Sequence, residues 1–471
     1  MKKIFYIFFL TVLSLGACTQ DFLQREPSDA IEDYRVFGSY VTAKAALVGA
    51  YNQLSVYSFD GLFIPIMSDI IGEDVMINSV DNWNWFVAVY QMNVLPNYTF
   101  ADSPWWTSYK MIYDANRIIE NAQSVPDATD AQRNQLEAEA RVLRAYGHLK
   151  LVQMFAPAYK EDPSAMAILK ADRIRGINEE PMPRATLQEI YDFMIEDLNI
   201  ASGMFESIPE LEDGKSVGFF TKRSAQALLA RAYLNMEDWE SAKNAAVEAH
   251  EGLELMTANE LLGGFMMRNR ETIFTIAYTQ DNNNVYLTIP SFYWPVAGYS
   301  SMRANDDFVD LFSGQDYRSN FFLRDNEIDE NRHLILKYGH NMVVGNAERI
   351  SIRASEMVLI EAEAEAELGN YKAAQEALHR IQMRANPSAP ISTETGQALI
   401  DEILVERRKE LFGEGFRWND IKRRSLPLKR TGDHWVMIDM DINDPDYYKM
   451  TFPIPQSEMD ANRNMIQNPG Y

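Results

Sequence analysis

The densest run of side chains able to do chemistry is Asp81, Asn82, Trp83, Asn84, Trp85, Phe86. Sugars present apolar C–H faces flanked by hydroxyls, so a sugar site needs aromatic platforms edged by amides, carboxylates or guanidiniums. This run supplies both. In an extended strand, alternation sends Trp83 and Trp85 to one face and Asn82 and Asn84 to the other, whereas a loop brings both sets to one ligand. The competing reading is a packed loop whose tryptophans are core, since large aromatics are usually mostly buried. A second candidate wall comprises Phe292, Tyr293, Trp294, Pro295 and Tyr299, preceded by Asn282, Asn283, Asn284 and Tyr286; its aromatics are equally open to a core role. Asp69, Glu73 and Asp74 are of a type to grip hydroxyls or an amine, against the alternative of a solvated acidic loop. Trp105 and Trp106 open a helical pattern and read as core.

Catalytic motifs fail on inspection. Gly214, Lys215 and Ser216 resemble the end of a phosphate-binding loop, but Pro209 stands where its first glycine belongs. There is no Gly-x-Ser-x-Gly elbow, and the histidines at 148, 250, 333, 340, 379 and 434 lack His-Glu-x-x-His spacing. A glycosidase needs two carboxylates across a sugar bond, and 68 Asp plus Glu offer too many pairs for sequence to select one. The segment starting Asp439, Met440, Asp441, Ile442, Asn443 begins like a calcium loop, but Asp444 replaces the turning glycine and Met450 the closing glutamate. A solvated acidic loop is the expectation, with an atypical calcium site left open. No catalytic residue, cofactor or metal ligand is assigned.

Composition narrows the class further. The 471 residues carry 44 Lys plus Arg against 68 Asp plus Glu, net −24, which repels phosphate backbones and anionic headgroups and removes nucleic-acid binding. One cysteine, Cys18, excludes internal disulfides and thiolate zinc clusters. It follows Lys2 and Lys3, an apolar run over 4–15, Gly16 and Ala17, the pattern of a secretory signal peptide. Leu15, Gly16, Ala17 and Cys18 look like a bacterial lipobox, in which Cys18 is acylated and becomes the first residue. Loss of residues 1–17 leaves 454 residues at net −26, a globular body on a lipid tether.

The elements that must position the candidate residues are mostly helices. Apolar residues recur at i, i+3, i+4 and i+7 over 43–55, 106–123, 132–154, 186–201, 222–235, 240–251, 356–368, 371–384 and 396–412. Aligning Trp239 with Tyr371 matches Ala230 to Ala362, Ala232 to Ala364, Met236 to Leu368, Asp238 to Asn370, Ala242 to Ala374 and Ala245 to Ala377. Small residues at the crossing points are how tetratricopeptide hairpins pack. The expected fold is mainly α: a tetratricopeptide-like hairpin scaffold with an irregular, loop-rich capping region containing short strands. A signal peptide (1–17) and a tether (18–38) precede the body (39–471). Scaffold helices fall over about 39–58, 106–154, 186–251 and 356–412, and capping loops over about 59–105, 272–345 and 430–452.

Fragments along the chain resemble one family, the SusD/RagB outer-membrane nutrient-binding lipoproteins. They are Cys18, Asp21, Phe22 and Leu23 with Pro27 and Phe37; Ala46, Leu47, Gly49, Ala50 and Tyr51; Trp106, Tyr109, Ala115 and Asn116; and Glu139, Leu143, Arg144 and Ala145. Later come Arg353, Glu356 and Met357; Glu406, Arg407, Arg408, Glu410 and Leu411; Glu414, Gly415, Arg417, Trp418 and Asp420; Phe452, Pro453, Ile454 and Pro455; and Gln467, Asn468, Pro469, Gly470 and Tyr471. Gln24 departs from the acid common at that position. The resemblance implies a non-catalytic binding protein on the outer leaflet, facing the exterior. It implies a lid over a SusC-like TonB-dependent transporter, with an oligosaccharide as ligand; a peptide ligand and a surface glycoside hydrolase remain the alternatives. The ligand candidates are Trp83, Trp85, Asn82, Asn84, Asp69, Tyr286, Trp294 and Tyr299, with Cys18 as the lipidation site. Arg407, Arg408, Glu410, Arg417 and Asp420 read as a partly buried charge network pinning the last helix to the repeats.

Overall fold

The computed structural model describes residues 33–471 except 177, 207–214, 264, 280, 297, 325–331 and 340–343. Cys18 with its signal, Gln24, and the glycine of the phosphate-loop-like fragment lie outside the described residues. The fold is mainly α, and each of the nine periodic segments is a helix: α1 (Tyr40–Ser55), α3 (Thr99–Asn121), α4 (Asp130–Phe155), α5 (Leu187–Phe205), α6 (Lys222–Met236), α7 (Trp239–His250), α8 (Ala354–Glu367), α9 (Tyr371–Ala385) and α10 (Gly396–Glu410). Among the shorter helices outside them are α2 (Phe63–Ile71) and α11 (Arg417–Arg424). Every residue of α2 is buried, and its nine mostly apolar residues are too short a run for period to separate a buried helix from a strand.

Helix starts follow from local chemistry. Thr129 with Gln132, and Thr186 with Glu189, form reciprocal capping boxes that satisfy otherwise orphaned backbone donors. From α3 to α10 each helix packs on its predecessor, α7 meeting α8 directly although residues 251–353 intervene. Close approach depends on small residues. A Cβ on Gly147 of α4 would lie 2.9 Å from the Ile112 side chain of α3, and Ala242, Ala246 and Ala249 of α7 are buried.

The two internally similar hairpins agree down to their turns. Glu237 and Gly369 both adopt left-handed backbone, at φ 60° and 80°. Asp238 N–H donates to the Tyr233 carbonyl and Asn370 N–H to the Glu365 carbonyl, which are matching positions.

The inserted segments build three small sheets. β1 (Val75–Ile77), β3 (Met302–Asn305), β5 (Arg332–Ile335) and β4 (Phe322–Arg324) pair in that order, all antiparallel. β2 (Thr272–Ile276) pairs with β6 (Arg349–Arg353), which runs directly into α8. β7 (Leu428–Lys429) pairs with β8 (Asp439–Met440).

A buried ionic hub joins the inserts to the helices. Arg353 donates to Glu410 and Glu414 at 2.7 Å each and to Glu271 at 3.1 Å, while Arg318 and Arg384 also reach Glu410. Arg407 pairs with Asp420 at 2.9 Å, Asp420 with Arg423 at 2.8 Å, and Arg423 with Glu363 at 2.6 Å. Glu73 and Asp74 are likewise paired, with Arg417 and Arg408. This corrects the solvated-loop reading of those acids: they sit between α2 and β1, facing guanidiniums from α10 and α11, and burial is tolerated because the charges are paired.

Candidate functional site

The registers of β1 and β3 decide what meets what. Ile77 pairs with Met302, and Asn78 N–H continues the ladder to the Ser301 carbonyl at 2.7 Å. The loop leaving β1 and the loop entering β3 therefore emerge side by side, which brings 78–86 against 298–301 across more than 200 residues of sequence.

The first loop is a chain of Asx turns. Asn78 Oδ1 accepts from Val80 N–H at 3.1 Å, Asn82 Nδ2 donates to the Asn78 carbonyl at 2.9 Å, and Asn82 Oδ1 accepts from Asn84 N–H at 2.8 Å. Trp83, Asn84 and Phe86 have φ of 54°, 59° and 58°. The alternation expected of an extended strand is therefore absent, because left-handed residues curl the backbone; both tryptophans nonetheless meet the same neighbour, Tyr299. Trp83 contacts that ring edge-on at 6.1 Å and Trp85 at 6.0 Å.

Tyr299 is held from behind. It stacks on Phe292 at 4.8 Å, and its N–H donates to the Ser291 carbonyl at 2.7 Å. Gly298 makes this approach possible: at φ 83°, a Cβ there would fall 2.1 Å from Ser291 Oγ. Trp85 is half-buried against Phe63, Phe86 and Phe292. Trp83 is 70% exposed. The result is a cluster anchored in the core and open on its outer side, where apolar residues gain little by facing water. Val80 and Val296, also strongly exposed, lie on the same two loops.

The other sequence candidates divide. Asn84 is exposed, while Asn82 spends its amide on the turn. Tyr286 is exposed on a segment tied to the end of α1, where Asn284 Nδ2 donates to the Ser55 carbonyl at 2.7 Å. Trp294 lies over Gly339, whose missing Cβ would overlap its ring. Among the described residues, no ring contact joins Tyr286 or Trp294 to the Trp83 cluster.

Asp69 is corrected outright as a ligand residue. It is 3% exposed, accepting from the Tyr293 hydroxyl at 2.9 Å and from Gly415 N–H at 3.1 Å. Burial pushes its carboxyl up to about 7 against the pull of those two donors. It steadies the residue before Trp294 and has no open face. Trp106 is corrected in the opposite sense: Trp105 is buried, but Trp106 projects from α3 and is 62% exposed.

The acidic loop near β8 forms Asx turns, Asp441 Oδ1 accepting from Asn443 N–H at 2.7 Å. Among the described residues no group of three His, Cys, Asp or Glu is placed to hold a metal, and no helix is long and apolar enough to cross a membrane. Sequence reasoning missed the supporting parts, namely Asn78, Ser291, Gly298 and Ser301. The run of Asn and Asp at 78–84 was a usable turn signal; the contact of Gly298 with Ser291 had none.

An open aromatic cluster on loops borne by a helical array can bind a flat apolar face without making or breaking a bond. Residues 333–471 match the profile of the SusD family, and residues 45–234 match a profile described as starch-binding, associating with the outer membrane. The chain belongs to the SusD/RagB family. SusD-like protein P2 of Formosa agariphila is 26% identical, with 100% of each chain covered. The crystal structure of a SusD superfamily protein from Bacteroides thetaiotaomicron is 25% identical, with a TM-score of 0.82, covering 92% of this chain and 100% of that one. A laminarin-binding SusD-like protein is 20% identical with a TM-score of 0.72, covering 92% of this chain and 100% of its own, a likeness of fold alone. Membership brings association with the outer membrane, and the family's description is of binding.

Proposed function

We propose that this SusD/RagB-family chain is a non-catalytic receptor for an oligosaccharide on the cell surface. It is held in the outer leaflet by acylated Cys18 and passes its ligand to a SusC-like TonB-dependent transporter. The observation that carries the binding role is the Trp83 ring, 70% exposed, whose contact with Tyr299 is backed by Trp85 packing on the same tyrosine. A pyranose C–H face laid on Trp83 exchanges two hydrated apolar surfaces for contact, and the exposed Asn84 amide is near enough in sequence to meet a ring hydroxyl. Tyr286 and Trp294 extend the binding face for a longer chain. The laminarin-binding relative with the same fold supports a glycan over a peptide as ligand class.

The test is a screen of the mature chain, with Cys18 replaced by serine, against a glycan array and a peptide pool, beside Trp83→Ala. Glycan binding that weakens in the variant supports the reading. Binding of peptides alone overturns the ligand class, and turnover of a polymer overturns the non-catalytic role. In cells, Cys18→Ala moves the protein out of the membrane fraction on this reading, because the acyl chains supply the anchor.

A further inference from the structure

Where α4, α6, β6 and α11 converge, a cavity of about 20 Å³ is lined by Lys150, Arg231, Arg349 and Arg407, with only Glu356 and Glu414 as lining carboxylates. Its floor is buried, whereas Gln153, Phe416 and Asn419 at its mouth are half-exposed. Three of the cations have carboxylate partners: Arg231 with Glu356 at 2.7 Å, Lys150 with Asp60 at 3.2 Å and Arg407 with Asp420 at 2.9 Å. Glu414 is already shared by Lys337 and Arg353.

Arg349 differs from these. It is 6% exposed and donates only to main-chain carbonyls, those of Ile350 at 2.5 Å and Glu414 at 2.8 Å. The carboxylate that most feels its charge is Asp60, which burial would raise but Lys150 and Arg349 hold well below the usual range. Two buried N–H groups of the lining have no acceptor: Arg349 Nε and Arg407 Nη1. A guanidinium cannot escape this by losing its proton, so a buried donor without a partner must find one in the adjacent space.

We propose that the cavity binds a small monovalent anion of the chloride class, bridging Arg349 and Arg407. With the other three cations paired, Arg349 is the guanidinium of the lining without a carboxylate at ion-pair distance among the described residues, and its buried, unpartnered Nε favours an ion over water. A volume of about 20 Å³ admits one or two water-sized bodies, which fits a monatomic ion. The anion would tie β6 and α10, where the loop-bearing inserts rejoin the helices, and so contribute to stability without touching the aromatic cluster.

The mature chain, exchanged into sodium gluconate, is melted at constant ionic strength while gluconate is replaced by chloride or bromide. A saturable rise in Tm with chloride and bromide is expected, together with an anomalous bromide peak in soaked crystals between Arg349 Nε and Arg407 Nη1. Arg349→Met abolishes the rise. Asn419→Asp, which places a repelling carboxylate at the mouth while α11 stays intact by circular dichroism, also abolishes it and covers the case in which the arginine variant does not fold. Equal Tm values in all three salts with no bromide peak overturn the proposal in favour of water, as does a halide effect that survives both substitutions.

Discussion

Replacing Trp83 by alanine separates binding from folding. A tryptophan side chain carries about 200–250 Å²; with Trp83 70% exposed, roughly 160 Å² of it lies in water. A sugar covering one ring face removes about half of that, on the order of 80 Å². At ~25 cal/mol per Å² this is about 2 kcal/mol, or roughly a thirty-fold rise in Kd. The folded state gives up little, because Trp83 touches its neighbours only along an edge. Isothermal titration with the best glycan from the array, run beside thermal unfolding, reads both quantities. Trp83→Ala should weaken binding about thirty-fold and leave Tm nearly unchanged. A Tm lowered by several degrees would make Trp83 a structural residue, and an unchanged Kd would remove it from the site; either result refutes the reasoning.

Trp85→Ala should behave differently, lowering stability by about 3 kcal/mol because the half-buried ring packs on three phenylalanines; denaturant unfolding checks this. Gly298→Ala forces a Cβ into Ser291 at positive φ, so glycan affinity should fall as Tyr299 shifts while helical circular dichroism is retained. Asp69 has a folded-state value raised to about 7 by burial, above the ordinary ~3.9 of an unfolded chain. The folded state therefore holds the extra proton between those values, and the stabilisation is present below about pH 4 and lost as pH rises through about 7. The Tm of the wild type relative to Asp69→Asn should decline over that window, which a pH series of melts measures. Arg353→Met takes one cation from Glu410, Glu414 and Glu271, which keep Arg318, Arg384 and Lys337. It should lower the midpoint in urea, at a cost below the roughly 3–5 kcal/mol of stranding a buried charge.

Residue patterns alone carried the helical array. Each scaffold helix has one apolar stripe and one polar face, so its period is written in the chain, and the repeated hairpin was legible down to the aromatic after the turn. The fully buried α2 escaped because nine mostly apolar residues are too short a run for period to separate a buried helix from a strand. The order of Asn and Asp before Trp83 specified a turn, and the aromatic content of the loops marked where a ligand face was to be sought. The charge cluster on α10 and α11 was also readable as structural, whereas the burial of Glu73 and Asp74 was not, since their partners lie more than 300 residues away.

Tertiary structure alone decided which aromatics face water and which meet each other. Trp83 and Trp85 are two residues apart, yet one is exposed and the other half-buried, because Phe63 and Phe292 arrive from distant segments to cover only Trp85. Trp105 and Trp106 divide in the same way on α3, by a rotation of one residue around the helix. Tyr299 joins the cluster through the pairing of β1 with β3, and Asp69 leaves the list of ligand groups because Tyr293 and Gly415 close over it. Local sequence fixes conformations that depend on near neighbours; exposure depends on what the rest of the chain brings to the same place.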